Sequence, residues 1–331
     1  VGTRLRAGLL SLLLAAGCAT APPPAPLPVS EDGFPAAYVP TGEGLAARFA
    51  PVFVPTRTEL AHNRIGTPAA TRDQDGAERV TIDIARPAVF VREIPFTTAR
   101  GAYTNLVYRV HFTRVPYRFR PGNVSAGRNV GLLAIVTLDA AGRPVLVTTV
   151  HTCGCYLAFL PTSHLKPDML PPGWDPAGQT VWGEHLPGRL EAAEGDPGAG
   201  AHPVLWLRDG THRVKGAALL SGAQVAEAFA PLPAPLRPIE DLDRLPLPDG
   251  GTTSLFASEG RRAGYVKGSV KPLEMLFVSW WAWDLYVGSD KRYGPADQMA
   301  TPFYTSLKPW QREESDMWPF ADFLAFWGWR L

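Results

Sequence analysis

The chain has 331 residues, 46% hydrophobic and 19% charged, a balance that suits one large globular domain or two ordinary ones and excludes a disordered or fibrous chain. Its 32 Lys and Arg against 31 Asp and Glu leave a formal charge of +1 with no Lys/Arg-rich run, so nothing in it offers the electrostatic footprint of a nucleic-acid binder. Thirty-four prolines and thirty-two glycines favour many short strands and turns over long helices.

At the N-terminus, Arg4 and Arg6 precede an apolar run from Leu9 to Leu14, and small residues lead to Cys18, the order of a secretory signal. The run is too short to span a bilayer. With its Ala16-Gly17-Cys18 box the segment 1–18 resembles the signal of bacterial lipoproteins, in which the cysteine is acylated and becomes the first residue of the mature chain. The resemblance implies a durable membrane anchor on Cys18. Ala19, where lipoproteins held at the inner membrane carry Asp, implies the outer membrane of a bacterial cell envelope. Residues 19–30 hold five prolines between Pro22 and Pro28 and read as an extended tether of roughly 30 Å, at about 3.1 Å per residue.

Residues 31–230 read as a β-rich body. In RVTIDIARPAVFVREI, residues 79–94, two β-branched runs are split by Pro87, and LVYRVHF, residues 106–112, alternates apolar and polar positions. In VGLLAIVTLDAAGRPVLVTTVHTC, two Val- and Ile-rich runs flank a turn cluster from Asp139 to Pro144, which predicts an antiparallel hairpin. HPVLWLRDGTHRVKG, residues 202–216, repeats the form with Asp209-Gly210 as its turn, and residues 161–180 are too rich in proline for regular structure. The proline-rich stretch 231–251 reads as a connection to a C-terminal segment, 252–331, that holds seven of the ten tryptophans. There LEMLFVSWWAWDLYVG predicts an apolar helix interrupted by Glu274 and Asp284. ESDMWPFADFLAFWGWRL predicts another, with Ser315 and Asp316 as caps. Such helices close the core of the body, or else present an apolar face to a membrane interface or an envelope partner protein. The fold class expected is mainly β, an antiparallel sandwich-like body followed by an aromatic α-helical segment.

Once Cys18 is set aside, the remaining cysteines sit in VHTCGCY. If residues 145–155 stay extended, His151, Cys153 and Cys155 share one face, because strand side chains alternate with period two. An imidazole with two sulfurs suits Zn or Cu, and His111, His164 or His212 could supply a fourth donor. A Cys153–Cys155 disulfide is the alternative. It needs a bend at Gly154, and a ring so small is strained, the profile of a redox-active pair. A third alternative is an inert bridge that stiffens a turn. No CxxCH, GxSxG, Walker or HExxH motif is present. His62 and His202 read as solvated, Glu184-His185 as a surface loop or else an acid-base pair, Asp284 as facing water or else a buried, paired carboxylate, and Asp290-Lys291-Arg292 as a helix end.

The order of NVGLLAIVTLDAAGRPVLVTTVH and the later HPVLWLRDGTHRV resembles β-sandwich proteins of the vacuolar-protein-sorting-associated and necrosis-inducing type. That resemblance implies a metal held by acidic and imidazole groups, with His151 and His212 at the positions of the two histidines. Leu132, Leu133 and Ala134 stand where the acidic motif would be, so the ligands of a hard cation are missing. The resulting expectation is a lipid-anchored envelope protein that binds a soft metal ion through His151, Cys153 and Cys155. The alternatives are a thiol-disulfide oxidoreductase and a structural or partner-binding lipoprotein.

Overall fold

The computed structural model describes residues 35–117, 124–192 and 201–331, so the signal segment, Cys18 and the tether lie outside it. The chain runs through β1 (Ala36–Thr41), α1 (Gly44–Arg48), β2 (Val52–Pro55), the hairpin β3 (Thr67–Arg72) and β4 (Glu78–Asp83), then β5 (Val89–Thr98) and β6 (Gly101–Val115). The hairpin β7 (Gly127–Leu138) and β8 (Pro144–His151) follows, then β9 (Ala158–Pro161) and a short hairpin of β10 (Gln179–Val181) and β11 (Glu184–Leu186). After β12 (Ala201–Leu207) and β13 (Val214–Ser221) come α2 (Gly222–Ala228), β14 (Ala230–Pro238), α3 (Pro272–Ala282) and α4 (Phe320–Phe326).

Ten strands form one sheet in the order β13-β12-β2-β1-β14-β5-β6-β7-β8-β9. Laid flat at about 4.8 Å per strand it would be about 43 Å wide. All ten strands nevertheless send side chains into one core, including Leu219, Leu205, Phe53, Tyr38, Ala234, Val89, Tyr108, Leu132, Val147 and Leu160, so the sheet curls on itself until it nearly closes. The seam between β9 and β13 is filled by the β10–β11 hairpin. Leu186 joins the same core, Leu190 donates its N–H to Pro161 O at 2.8 Å, and Glu184 pairs with Arg213 at 2.6 Å. The expected mainly-β body is thus present, but it is not purely antiparallel: β1 with β14, β14 with β5, and β2 with β12 are parallel pairs.

The β7–β8 hairpin forms as its sequence predicts, and every residue of β8 is buried. Its apolar run lacks clean alternation because both faces are covered, as for a strand inside two layers. Leu132, Ala134 and Val136 face the interior of the curl, whereas Leu133 and Ile135 meet Phe303, Met317, Phe323, Leu324 and Trp329 of the C-terminal segment outside it.

Part of the stretch read as a connection is a strand. β14 spells APLPAPLRP, and over Ala230–Pro235 it pairs with β1 alone, β5 joining it only from Leu236. Successive backbone N–H groups of a strand point to opposite sides. Prolines at 231, 233 and 235 therefore leave their missing donors on the unpaired side, where a sheet tolerates them.

The two aromatic helices part company. α4 buries Phe320, Phe323 and Leu324 against the sheet, which makes it core. α3 instead exposes Leu276, Phe277, Trp280 and Trp281, followed by Trp283 and Leu285. The expected caps Ser315 and Asp316 do not cap α4, whose N-cap is Pro319. They are buried and accept backbone N–H groups of Phe303, Thr305, Ser306 and Trp318. No helix among the described residues is long and apolar enough to cross a membrane.

This division predicts unequal mutational costs. Phe323→Ala, at a fully buried ring packed on Phe159, should lower unfolding free energy by about 3–5 kcal/mol in urea titration. Trp280→Ala, at a ring 70% exposed, should change it by about 0.5 kcal/mol or less. Equal losses at the two sites would contradict the assignment of α4 to the core and α3 to the surface.

Candidate dithiol site

Strand β8 stops at His151 because the chain turns back on itself there. The N–H of Gly154 donates to His151 O at 2.7 Å and the N–H of His151 to Cys155 O at 2.9 Å. Gly154 takes a φ of +93°, and a Cβ on it would fall 2.2 Å from Tyr304 O, so only glycine fits this bend. Residues 151–155 are therefore not extended, and the same-face array of His151, Cys153 and Cys155 expected from the sequence does not form. His151 ends β8 on the inner face of the curl. The turn carries the two cysteines to the outer side, under the start of α3.

Both cysteines are free thiols, Cys153 buried and Cys155 half-buried. The two thiols lie close enough to influence each other's ionisation, and the Cys155 thiol donates to Glu274 Oε1 at 3.5 Å. Burial works against a charge on Cys153, but the neighbouring Cys155 thiol and the Lys271 ammonium outweigh it and hold that thiol below its ordinary value. Cys155, which neighbours Cys153 and is partly buried beside Glu274, is pushed well up. The pair gives up one proton readily and the second with difficulty.

The turn is fixed from the C-terminal segment. Asp290 accepts from Thr152 Oγ1, from the N–H of Gly131 at 3.0 Å and from Ser269 Oγ at 2.9 Å. Lys271 Nζ stands 3.6 Å from the same carboxylate, and that charge, with the site's sulfurs and Glu274, offsets burial and keeps the amine protonated. Lys291 donates its backbone N–H to Thr152 O at 2.7 Å and its ammonium to Cys153 O at 3.1 Å, and sits 4.1 Å over the Tyr304 ring.

The candidate metal donors are dispersed. His151 lies inside, edge-on to Tyr156 at 4.7 Å and against the backbone of His212, whose ring stacks on Phe112 at 4.0 Å. The two histidines that the family resemblance matched by position thus meet one another, on the opposite side of the turn from the sulfurs. His111 is on the outer face of β6 and accepts from Arg109 Nε at 2.9 Å. His164 follows β9, its N–H donating to Thr162 Oγ1. Among the described residues no three His, Cys, Asp or Glu side chains are grouped to hold a metal ion.

Several other expectations change. His62 is half-buried beside Asp209 at 3.5 Å, and His202 Nδ1 lies 3.0 Å from Ala50 O, so neither is simply solvated. Glu184 is buried between Arg208 and Arg213, while His185 faces water. Asp284 turns inward to accept from Tyr304 Oη at 2.6 Å and Tyr265 Oη at 3.4 Å. Asp290 and Lys291 are buried parts of the site, not a helix end. Lys271 and Glu274 were not singled out as site residues, although a lone carboxylate in the apolar run LEMLFVSWW is the signal that could have found the second.

No protein-family pattern, curated protein or solved structure matches the chain.

The buried imidazoles predict acid sensitivity. Desolvation lowers His151 to about 3, and it holds His111 and His212 well below 6.5. Below pH 6.5 the unfolded chain binds protons that the folded chain refuses, so stability falls as pH falls, by about 1.4 kcal/mol per pH unit for each such histidine. Urea midpoints measured from pH 7 to 5 should drop steeply, and His212→Gln should flatten the slope by about a third. A pH-independent midpoint would mean that these rings are charged in the folded protein.

Proposed function

We propose that the chain is a lipid-anchored protein of the bacterial cell envelope whose body exchanges thiols and disulfides through Cys153 and Cys155. The observation that carries this reading is the pair itself: two neighbouring free thiols, Cys153 buried and Cys155 half-buried, with a cation and a carboxylate beside them. A thiolate attacks a disulfide through a mixed-disulfide intermediate, and a second thiol at hand resolves it. The soft-metal reading, with Zn or Cu on His151, Cys153 and Cys155, needs an imidazole on the sulfur side of the turn, and the inward course of His151 favours the dithiol. We read the curled sheet as sandwich-like, with β13, β12, β2 and β1 facing β6 to β9 across one core.

Anchoring at Cys18 rests on the lipoprotein-like signal. The outward side of α3, with Leu276, Phe277, Trp280 and Trp281, supports a second contact with the lipid surface, since indole rings suit the interface between headgroup and acyl chain.

Two measurements test these readings. Treated with 2,2′-dithiodipyridine, the protein should release two equivalents of thiopyridone and lose two hydrogens in mass as Cys153 and Cys155 join. Cys155→Ser should leave a slow, single-equivalent reaction. Two independent adducts would contradict the dithiol reading, and stoichiometric Zn or Cu that must be stripped before either thiol reacts would favour the metal. Separately, Cys18→Ser should release the protein from membranes only when combined with Trp280→Ser, Trp281→Ser and Trp283→Ser. Full release by Cys18→Ser alone would assign the α3 face to a protein partner.

A further inference from the structure

We propose that Glu274 is the base that takes the proton of Cys155 when that thiol attacks a substrate disulfide. This rests on the dithiol reading of the site and adds to it the group that makes the sulfur of the less buried cysteine a nucleophile.

Glu274 is the one charged residue of α3, and on a helix that turns Leu276, Phe277, Trp280 and Trp281 outward it points inward, 6% exposed. Its Oε1 accepts the Cys155 S–H, while its Oε2 is buried with no partner in the structure. A buried carboxylate oxygen left unpaired is costly, and a native structure that keeps one calls for a reason such as a catalytic role. The chain also makes room for it. Gly288, at a φ of +78°, lies so close that a Cβ there would come within 2.4 Å of the carboxylate.

The other ionisable groups around the sulfurs are committed elsewhere. Asp290 is saturated by Gly131, Thr152, Ser269 and Lys271. Lys271 and Lys291 are donors, the first to Asp290 and the second to Cys153 O. Asp284 accepts from two tyrosines, Tyr156 bonds Ser125, and His151 faces the interior. Cys153 also neighbours the Cys155 thiol, but it is buried and is needed as a thiolate for the second step.

The reaction balances as follows. The Cys155 proton passes to Glu274, and the Cys155 sulfur attacks one sulfur of the substrate disulfide. The substrate S–S bond breaks, a Cys155–substrate S–S bond forms, and the first substrate sulfur leaves as a thiolate that collects the proton from Glu274. The Cys153 thiolate then attacks the Cys155 sulfur, forming the Cys153–Cys155 bond and expelling the second substrate sulfur, which takes a proton from water. The site is oxidised from dithiol to disulfide, and the substrate disulfide is reduced to two thiols.

The test follows thiopyridone release from 2,2′-dithiodipyridine by the full chain from pH 5 to 9. Glu274→Gln should slow the first release at pH 7 by roughly tenfold to a hundredfold. The deficit should narrow as pH rises, because hydroxide then takes the Cys155 proton in place of Glu274. Glu274→Asp, which keeps the charge but withdraws it by one methylene, should fall between the two and serves as the probe if Glu274→Gln does not fold. Superimposed pH profiles for wild type and variant, with the intramolecular disulfide still forming, would overturn the role of Glu274 and leave the dithiol reading standing. Failure of the wild type to form that disulfide at any pH would overturn both.

Discussion

A fully buried carboxylate, Asp290, holds the site and its surroundings in register. Taking a charge out of water costs several kcal/mol unless its oxygens are satisfied, so this side chain is tolerable only when all its partners arrive together. They come from β7 through Gly131, from the cysteine turn through Thr152, and from the approach to α3 through Ser269 and Lys271. Removing one would leave the rest of the cluster with an uncompensated charge. The bend at Gly154 with its two sulfurs and the start of α3 are thereby tied to one another, although they lie in two distant parts of the sequence.

The same arrangement explains how a proline- and tryptophan-rich tail becomes part of the body. Over the outer face of β6 to β8 the C-terminal segment makes an apolar contact around Phe303, Met317 and Phe323, and beside it a polar one. In the polar part the buried Arg109 donates to Lys291 O at 2.8 Å and Asn129 to Lys267 O at 3.0 Å. Apolar contact supplies the free energy and is indifferent to orientation, whereas the hydrogen bonds fix where the segment sits. Burial without ready compensation draws Arg109 down to about 9, a sign of how dry this contact is.

Local chemistry made much of the fold legible. The Asp139-to-Pro144 turn between two β-branched runs gave the β7–β8 hairpin, and Asp209-Gly210 gave β12–β13. β14 was hidden because its prolines are acceptable only on the side that lacks a neighbour, a fact of pairing rather than of composition. α3 and α4 could not be told apart, since both are apolar and only the packing decides which is covered. The cysteines were visible as a pair, but their partners lie more than a hundred residues away, and the assumption of continued extension past His151 failed at a glycine. Long-range charge pairing leaves no periodic trace in a sequence.

The insertion of β14 between β1 and β5 also sets an order of events. Ala36 is registered against Ala230 and Val52 against Val204, so the first strands of the body are separated from their parallel partners by more than 150 residues. Closing such loops costs entropy before any contact repays it, and topologies of this kind assemble slowly. A ribosome has released the whole β5-to-β9 meander while β1 and β2 still lack those neighbours. During that interval the sheet has two separate pieces with open edges, and the segment that joins them is the one whose alternating prolines make it a poor template for pairing with another chain.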